Sequence, residues 1–256
     1  MTEKPRPIQD NTCLIRETLD LVRTERHHFK TFTAGDEPAC KKTGYASRKM
    51  NRPEIVLARD TAIELGGPET EAISLVLWTG TKGLIGDETG SRILISENPA
   101  PAGIQQPVSF MQIILVELEK NAIPSELHLR KLSNLSKHLP GFMTLSTSET
   151  IWVRIHKNKK NRFSFYSMAQ CIFKRYSEEL PYFKKMDIVL AAGQPGLISR
   201  FKFIANAAKT ISEINKKATW ENEGIVSCDE LACDICDQKP VCDTLRELIN
   251  EGVNNP

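Results

Sequence analysis

The distribution of apolar and polar residues along the chain predicts strands and helices in succession. Five short apolar runs are typical of buried strands, at positions 73–78, 93–95, 110–118, 151–155 and 186–192. Apolar residues spaced three and four apart predict four amphipathic helices, which begin near positions 11, 125, 165 and 196. This order predicts an α+β fold, in which helices pack on the faces of a mixed β-sheet.

Two glycine-containing segments are interpreted as connections. Glycines 80, 83, 86 and 90 lie between the first two predicted strands, and no helix pattern follows them. They therefore predict a wide hairpin rather than a phosphate-binding loop. Gly193 and Gly196 lie between the last predicted strand and helix, and they predict an ordinary strand-to-helix turn. The alternative for this turn is a phosphate site on backbone amides at the helix start.

The composition is that of a folded protein with its own hydrophobic core. Of the 256 residues, 40% are hydrophobic and 26% are charged, which is close to the averages of globular proteins. No apolar run approaches about 18 residues and no signal-peptide pattern opens the sequence, so we expect a cytoplasmic protein without a membrane partner. The net charge of +2 is too small to attract nucleic acid in bulk, and no nucleic-acid partner is expected.

The charges are unevenly distributed. Positions 151–176 contain seven Lys or Arg and no acid, whereas positions 221–256 contain nine acids and two cations. Five of the cations fall within nine residues, which predicts a surface for a phosphorylated ligand or an acidic protein face. The candidate partner- or anion-binding residues are Arg154, Lys157, Lys159, Lys160 and Arg162.

The cysteines predict a metal site near the carboxyl end. Four of the seven follow the spacing C-x4-C-x2-C-x5-C, as Cys228, Cys233, Cys236 and Cys242. In a cytosolic chain such a set is typical of metal ligation rather than of disulfides. Because the four are bunched rather than split into two separated pairs, the pattern favours a [4Fe–4S] cluster, with zinc as the alternative. The fold prediction therefore includes a small cysteine-rich, metal-binding appendage.

Two histidines stand next to each other at the end of the first predicted helix. His27 and His28 are consecutive, and consecutive side chains on a helix point in different directions. We therefore expect a solvated helix end and no shared ligand. Cys171, within the helix predicted near 165, is expected to have a packing role.

Several strings occur in a characteristic serial order: Ala62–Gly67 with Ala72–Val76, Ile113–Glu117, Ile151–Lys157, Arg162–Phe165 and Arg175–Pro181. This order resembles the central domain of the acetyl-CoA synthase beta subunit, from the CO dehydrogenase/acetyl-CoA synthase complex. The resemblance spans about residues 55–245. It implies three parts: an N-terminal helix and irregular loop (1–54), an α/β domain like that central domain (55–220), and an acidic cysteine-rich segment (221–256).

The resemblance implies cofactors for the cysteine segment. In that family the segment after the central domain carries cysteines that bind a [4Fe–4S] cluster bridged to a two-nickel centre. Cys233, Cys236 and Cys242 fall at the corresponding place, and Cys228 is added upstream. The Cys-Gly-Cys motif that holds the distal nickel is absent from this sequence, so nickel is not expected.

The resemblance also implies a function in anaerobic one-carbon metabolism, in the reductive acetyl-CoA pathway or in methyl transfer. The family's central domain docks a corrinoid iron–sulfur methyl carrier and is associated with coenzyme A. We therefore expect docking of a corrinoid methyl-carrier protein, with coenzyme A as a further ligand. The first alternative is a reduced acetyl-CoA synthase-type acyl or methyl transferase, and the second is a structural zinc-binding domain. The sequence leaves open whether the chain is catalytic.

Overall fold

The structure is a computed structural model that describes most of the chain between residues 9 and 223. The described ranges are 9–35, 55–97, 107–119, 132–137, 139, 142–146 and 150–223, without the side chains of residue 162 and residues 216–223. Among these residues, none of the helices combines the length and the apolar character needed to cross a membrane.

The described residues form eight strands, four α-helices and a further helical segment at 132–134, which confirms the predicted mixed α+β fold. The strands are β1 (Lys30–Thr33), β2 (Thr61–Gly66), β3 (Ala72–Thr79), β4 (Arg92–Glu97), β5 (Phe110–Leu118), β6 (Phe142–Ser146), β7 (Ile151–His156) and β8 (Phe183–Ala192). The helices are α1 (Thr12–Thr24), α2 (Phe165–Glu179), α3 (Pro195–Arg200) and α4 (Lys202–Glu223).

The strands form a five-stranded sheet and a three-stranded sheet. The larger sheet has the order β1-β4-β8-β5-β3, and the smaller has the order β2-β7-β6. In the larger sheet β5 runs parallel to β3 and antiparallel to β8, and β8 runs parallel to β4. The larger sheet is therefore mixed, as predicted.

Both faces of the larger sheet are covered. All nine residues of β5 are buried, and their side chains alternate between two hydrophobic cores. Phe110, Ile114 and Val116 pack with α2 and with the three-stranded sheet. Met111 and Ile113 pack on the opposite face with α1, α3 and α4. Burial on both faces explains why β5 is a continuous apolar run in the sequence.

The prediction of a hairpin across Gly80–Gly90 is wrong. β3 and β4 are not neighbours, because the doubly buried strands β5 and β8 lie between them. The segment instead crosses the end of the sheet and is fixed by two buried carboxylates. The amide of Gly83 donates to Glu117 of β5 (3.0 Å), and the amide of Gly86 donates to Asp187 of β8 (3.2 Å).

Asp187 is the stronger of these two anchors. It is fully buried and also accepts hydrogen bonds from the backbone amide (3.2 Å) and the Nε (3.1 Å) of Arg92 at the start of β4. The side-chain hydrogen bond to Asp187 raises the pKa of the Arg92 guanidinium. One carboxylate of β8 thus holds both the crossing segment and the strand that follows it.

The sequence pattern misses three strands and a helix boundary. β1, β2 and β6 are short, and all four residues of β1 are exposed, so none forms a long apolar run. β1 lies mostly within the segment predicted as an irregular loop. The helix predicted from position 196 is interrupted at Phe201, which is buried between α3 and α4. The prediction for α2 is confirmed. Cys171 is buried within the hydrophobic core, which fits the packing role expected for it.

We expect Gly66→Ala to destabilise the fold by about 2 kcal/mol or more. Gly66 ends β2 with a φ of 68°, and a Cβ there would lie 2.0 Å from the carbonyl oxygen of Ile151. Urea denaturation monitored by circular dichroism measures the change. The matched control is Gly196→Ala, because a Cβ added at Gly196 would have no atom within 4 Å and its φ is ordinary. An equal free energy of unfolding for the two variants would contradict this account of the β2–β7 contact.

Candidate functional site

The predicted metal ligands lie beyond the part of the chain that the structure describes. They are Cys228, Cys233, Cys236 and Cys242. The cysteine-rich appendage and its cluster therefore stay predictions. Of the remaining cysteines, Cys13 is exposed on α1 and Cys171 is buried under α2.

Arg154 lies within the three-stranded sheet rather than on an open basic surface. Its Nε lies 3.2 Å from Oε1 of Glu64 on the neighbouring strand β2. Its guanidinium lies over the ring of Trp152, 4.2 Å from the ring centroid. The indole Nε1 of Trp152 donates to the same Glu64 oxygen at 2.6 Å. With 18% of its side chain exposed, Arg154 is held by the sheet, and its charge is already paired.

The cations after β7 are more accessible, because they lie on the 3₁₀ helix Lys157–Arg162. His156 caps this helix, since its Nδ1 accepts a hydrogen bond from the amide of Asn158 (3.1 Å). Lys157 and Lys160 are exposed, whereas Lys159 is half-buried. Of Arg162 the structure describes only the backbone, which ends the helix.

Arg59 joins these lysines at one end of the three-stranded sheet. The Nζ of Lys157 donates to the carbonyl oxygen of Arg59 at 2.6 Å. The side chain of Arg59 is 82% exposed, and its Nε lies 3.6 Å from Oδ2 of Asp60, a surface pair that solvent screens. We call Arg59, Lys157 and Lys160 the basic surface. Two exposed apolar side chains, Ile55 and Leu57, directly precede Arg59 in the chain. Arg59 carries no sequence signal that links it to the basic run, because about a hundred residues separate them.

A cavity of 430 Å³ lies on another part of the molecule, between the end of α1 and the turn from β8 into α3. Glu25 and His28 line it from the α1 side, and Gln194 and Arg200 line it from the other side. The Nε2 of Gln194 contacts the hydroxyl of Ser96 at 2.5 Å, which holds the turn against β4.

Residues 193–196 form the predicted strand-to-helix turn from β8 into α3. Gly193 has a φ of 68°, and its amide donates to the carbonyl oxygen of Ser109 at 2.9 Å. That amide is therefore used within the fold. The helix that follows, α3, has six residues, which is too short to build a strong dipole for an anion.

Glu25 is a buried carboxylate at the edge of the cavity. It caps the carboxyl end of α1 and is 3% exposed. It forms an ion pair with Arg200 at the end of α3. Its second oxygen, Oε2, lies 3.6 Å from Nε2 of His28. A carboxylate in this position needs cationic partners, because burial and the negative end of the helix dipole both disfavour its charge.

The expectation that His27 and His28 diverge is wrong. Their ring centroids lie 4.1 Å apart, and their ring nitrogens lie within 4.8 Å of each other and of a Glu25 oxygen. The physical reason is that α1 ends at Thr24, so the two histidines belong to a terminal 3₁₀ turn and not to a continuing α-helix. The Glu-x-His-His string is a visible signal. The burial of Glu25 and its pairing with Arg200, 175 residues away, are not visible in the sequence.

No family model matches the chain, and no curated protein matches it. The resemblance to the acetyl-CoA synthase beta subunit therefore stays a prediction.

We expect Arg154→Met to lower the free energy of unfolding by about 1–3 kcal/mol, because it removes a charged hydrogen bond and a cation–π contact within the sheet. Urea denaturation measures this loss. Lys160→Met is the matched control, since this exposed side chain should change stability by less than about 0.5 kcal/mol. If the two variants are equally stable, the network around Glu64 does not hold β7 as described.

Proposed function

We propose that the chain is an acetyl-CoA synthase beta-subunit-like protein of anaerobic one-carbon metabolism. In this proposal it docks a corrinoid methyl-carrier protein through the basic surface. It also holds a [4Fe–4S] cluster or another metal through Cys228, Cys233, Cys236 and Cys242. The observation that carries the proposal is the exposed basic surface at the end of the three-stranded sheet, within the stretch that resembles the family.

Two features of the basic surface support docking of a protein. Its backbone is held in place, since Lys157 is tied to the carbonyl of Arg59 and His156 caps the 3₁₀ helix. It also combines cations with exposed apolar side chains, Ile55 and Leu57. A fixed surface of this kind suits an acidic protein face, for which complementary charge accelerates association and selects the partner. Coenzyme A is the further ligand that the same cations would suit.

The transferase and the structural zinc domain remain the two alternatives, and metal content separates them from the proposal. Anaerobic purification followed by analysis of iron, sulfide, nickel and zinc gives three distinct outcomes. Iron with sulfide and no nickel supports the proposal. Nickel supports the transferase, and zinc alone supports the structural domain.

We expect Cys236→Ser to remove bound iron and acid-labile sulfide, because a cluster bound by four thiolates loses one of its ligands. Metal and sulfide analysis of anaerobically purified protein measures the change. Cys13→Ser is the matched control, because Cys13 is exposed on α1 and lies outside the four-cysteine motif. Iron content that is unchanged in Cys236→Ser would remove the four-cysteine site from the proposal.

We expect Arg59→Glu combined with Lys160→Glu to weaken binding of a corrinoid methyl-carrier protein by about tenfold at low salt. The difference should shrink at high salt, because exposed charges are screened. Half-buried Lys159 is left unchanged. Isothermal titration at two salt concentrations measures Kd, and a parallel titration with coenzyme A tests that ligand.

The control for this experiment is Arg16→Glu combined with Lys30→Glu, which reverses two exposed cations on α1 and β1. It changes the net charge by the same amount at a different place. Equal weakening by both double variants would mean that bulk charge, and not the basic surface, drives binding. Unchanged Kd at low salt in the Arg59 and Lys160 variant would contradict the docking proposal.

A further inference from the structure

We infer that Glu25, His27 and His28 form a second metal site, for a divalent ion of the zinc class, at the edge of the 430 Å³ cavity. This inference rests on the geometry at the end of α1. It is independent of the four-cysteine motif and of the proposed docking function.

The donor atoms are close enough to share one ion. Ligands held about 2.1 Å from a tetrahedral zinc lie about 3.4 Å from one another. Oε2 of Glu25 and Nε2 of His28 are 3.6 Å apart, so this pair needs almost no movement. All three donors lie within 4.8 Å of one another. The ring nitrogen of His27 must therefore move closer to the other two donors. The His27 side chain is exposed, so its ring has room to rotate.

The electrostatics at Glu25 favour a cation. The carboxylate is 3% exposed and lies at the carboxyl end of α1, where the helix dipole is negative. Arg200 pairs with Oε1, which orients the carboxylate and leaves Oε2 facing His28. Oε2 is the carboxylate oxygen that faces His28, so a metal ion bound there would share the carboxylate with Arg200. Arg200 thereby acts as a positioning residue for the ligand oxygen.

The donor set selects the class of metal. Two imidazole nitrogens and one carboxylate oxygen match the ligands that zinc takes in hydrolytic sites, where a fourth position stays open. Magnesium and calcium prefer sets made of oxygen alone. Glu25 and His28 both line the cavity, so the open fourth position of the ion would face it. Arg200 also lines the cavity, but its guanidinium is already paired with Glu25.

The test adds zinc alone to the anaerobically purified full-length chain, in which the cysteine motif is unchanged. We expect the wild-type chain to bind one more equivalent of zinc than the His27→Ala, His28→Ala double variant, or to bind that equivalent at least tenfold more tightly. Equilibrium dialysis with metal analysis measures both quantities. The matched control is Arg26→Ala, because Arg26 is exposed within the same turn and provides no metal ligand. This control should bind zinc like the wild type.

Cobalt substitution separates this site from the cysteine motif. Thiolate ligands give cobalt an intense charge-transfer absorption in the near ultraviolet, whereas nitrogen and oxygen ligands give only the weaker visible bands. We expect the histidine double variant to lose visible bands and keep any thiolate absorption. Cys236→Ser should keep the visible bands of the Glu25, His27 and His28 site. Circular dichroism verifies that the histidine double variant is folded. If that variant and the wild type then bind zinc with equal stoichiometry and affinity, the inference is overturned.

Discussion

The structure depends on the burial of β5 and β8 on both of their faces. Every residue of β5 and the last seven of β8 are buried, so neither strand has a side that tolerates water. Two covering layers are then required, and the rest of the chain supplies them: α1, α3 and α4 on one face, α2 and the three-stranded sheet on the other. Polar exceptions such as Asp187 lie where partners are present: the guanidinium of Arg92 pairs with its charge, and the backbone amides of Gly86 and Arg92 donate to it.

This two-layer cover places the two proposed sites on opposite faces of the larger sheet. The basic surface belongs to the layer that contains the three-stranded sheet, whereas the cavity beside Glu25 belongs to the layer that contains α1 and α3. A protein docked on one face would leave the other face accessible. The two sites therefore need not compete for space, and each can be mutated without changing the other.

The sequence predicts those elements whose signal is local. The buried runs of β5 and β8 and the period of α2 are properties of the segments themselves, and their predictions are confirmed. The partners of a strand are not local, which is why glycine-rich residues 80–90 predict a hairpin that does not form. β1 and β6 escape prediction because each is short and depends on one neighbouring strand. At the candidate sites, the basic run is visible, but the sheet contacts of Arg154 and the pairing of Glu25 with Arg200 join residues distant in the chain.

The position of β8 has a consequence for biosynthesis. β8 is the last strand in the described part of the chain, yet it lies between β4 and β5 and joins the β1–β4 pair to the β5–β3 pair. While the ribosome is still producing earlier residues, the two pairs have no strand to connect them. The edges of β4 and β5 that will pair with β8 then have unpaired backbone N–H and C=O groups. Long-range pairing of this kind delays folding. A chain that still lacks residues 183–192 therefore presents unpaired strand edges, and unpaired strand edges favour aggregation.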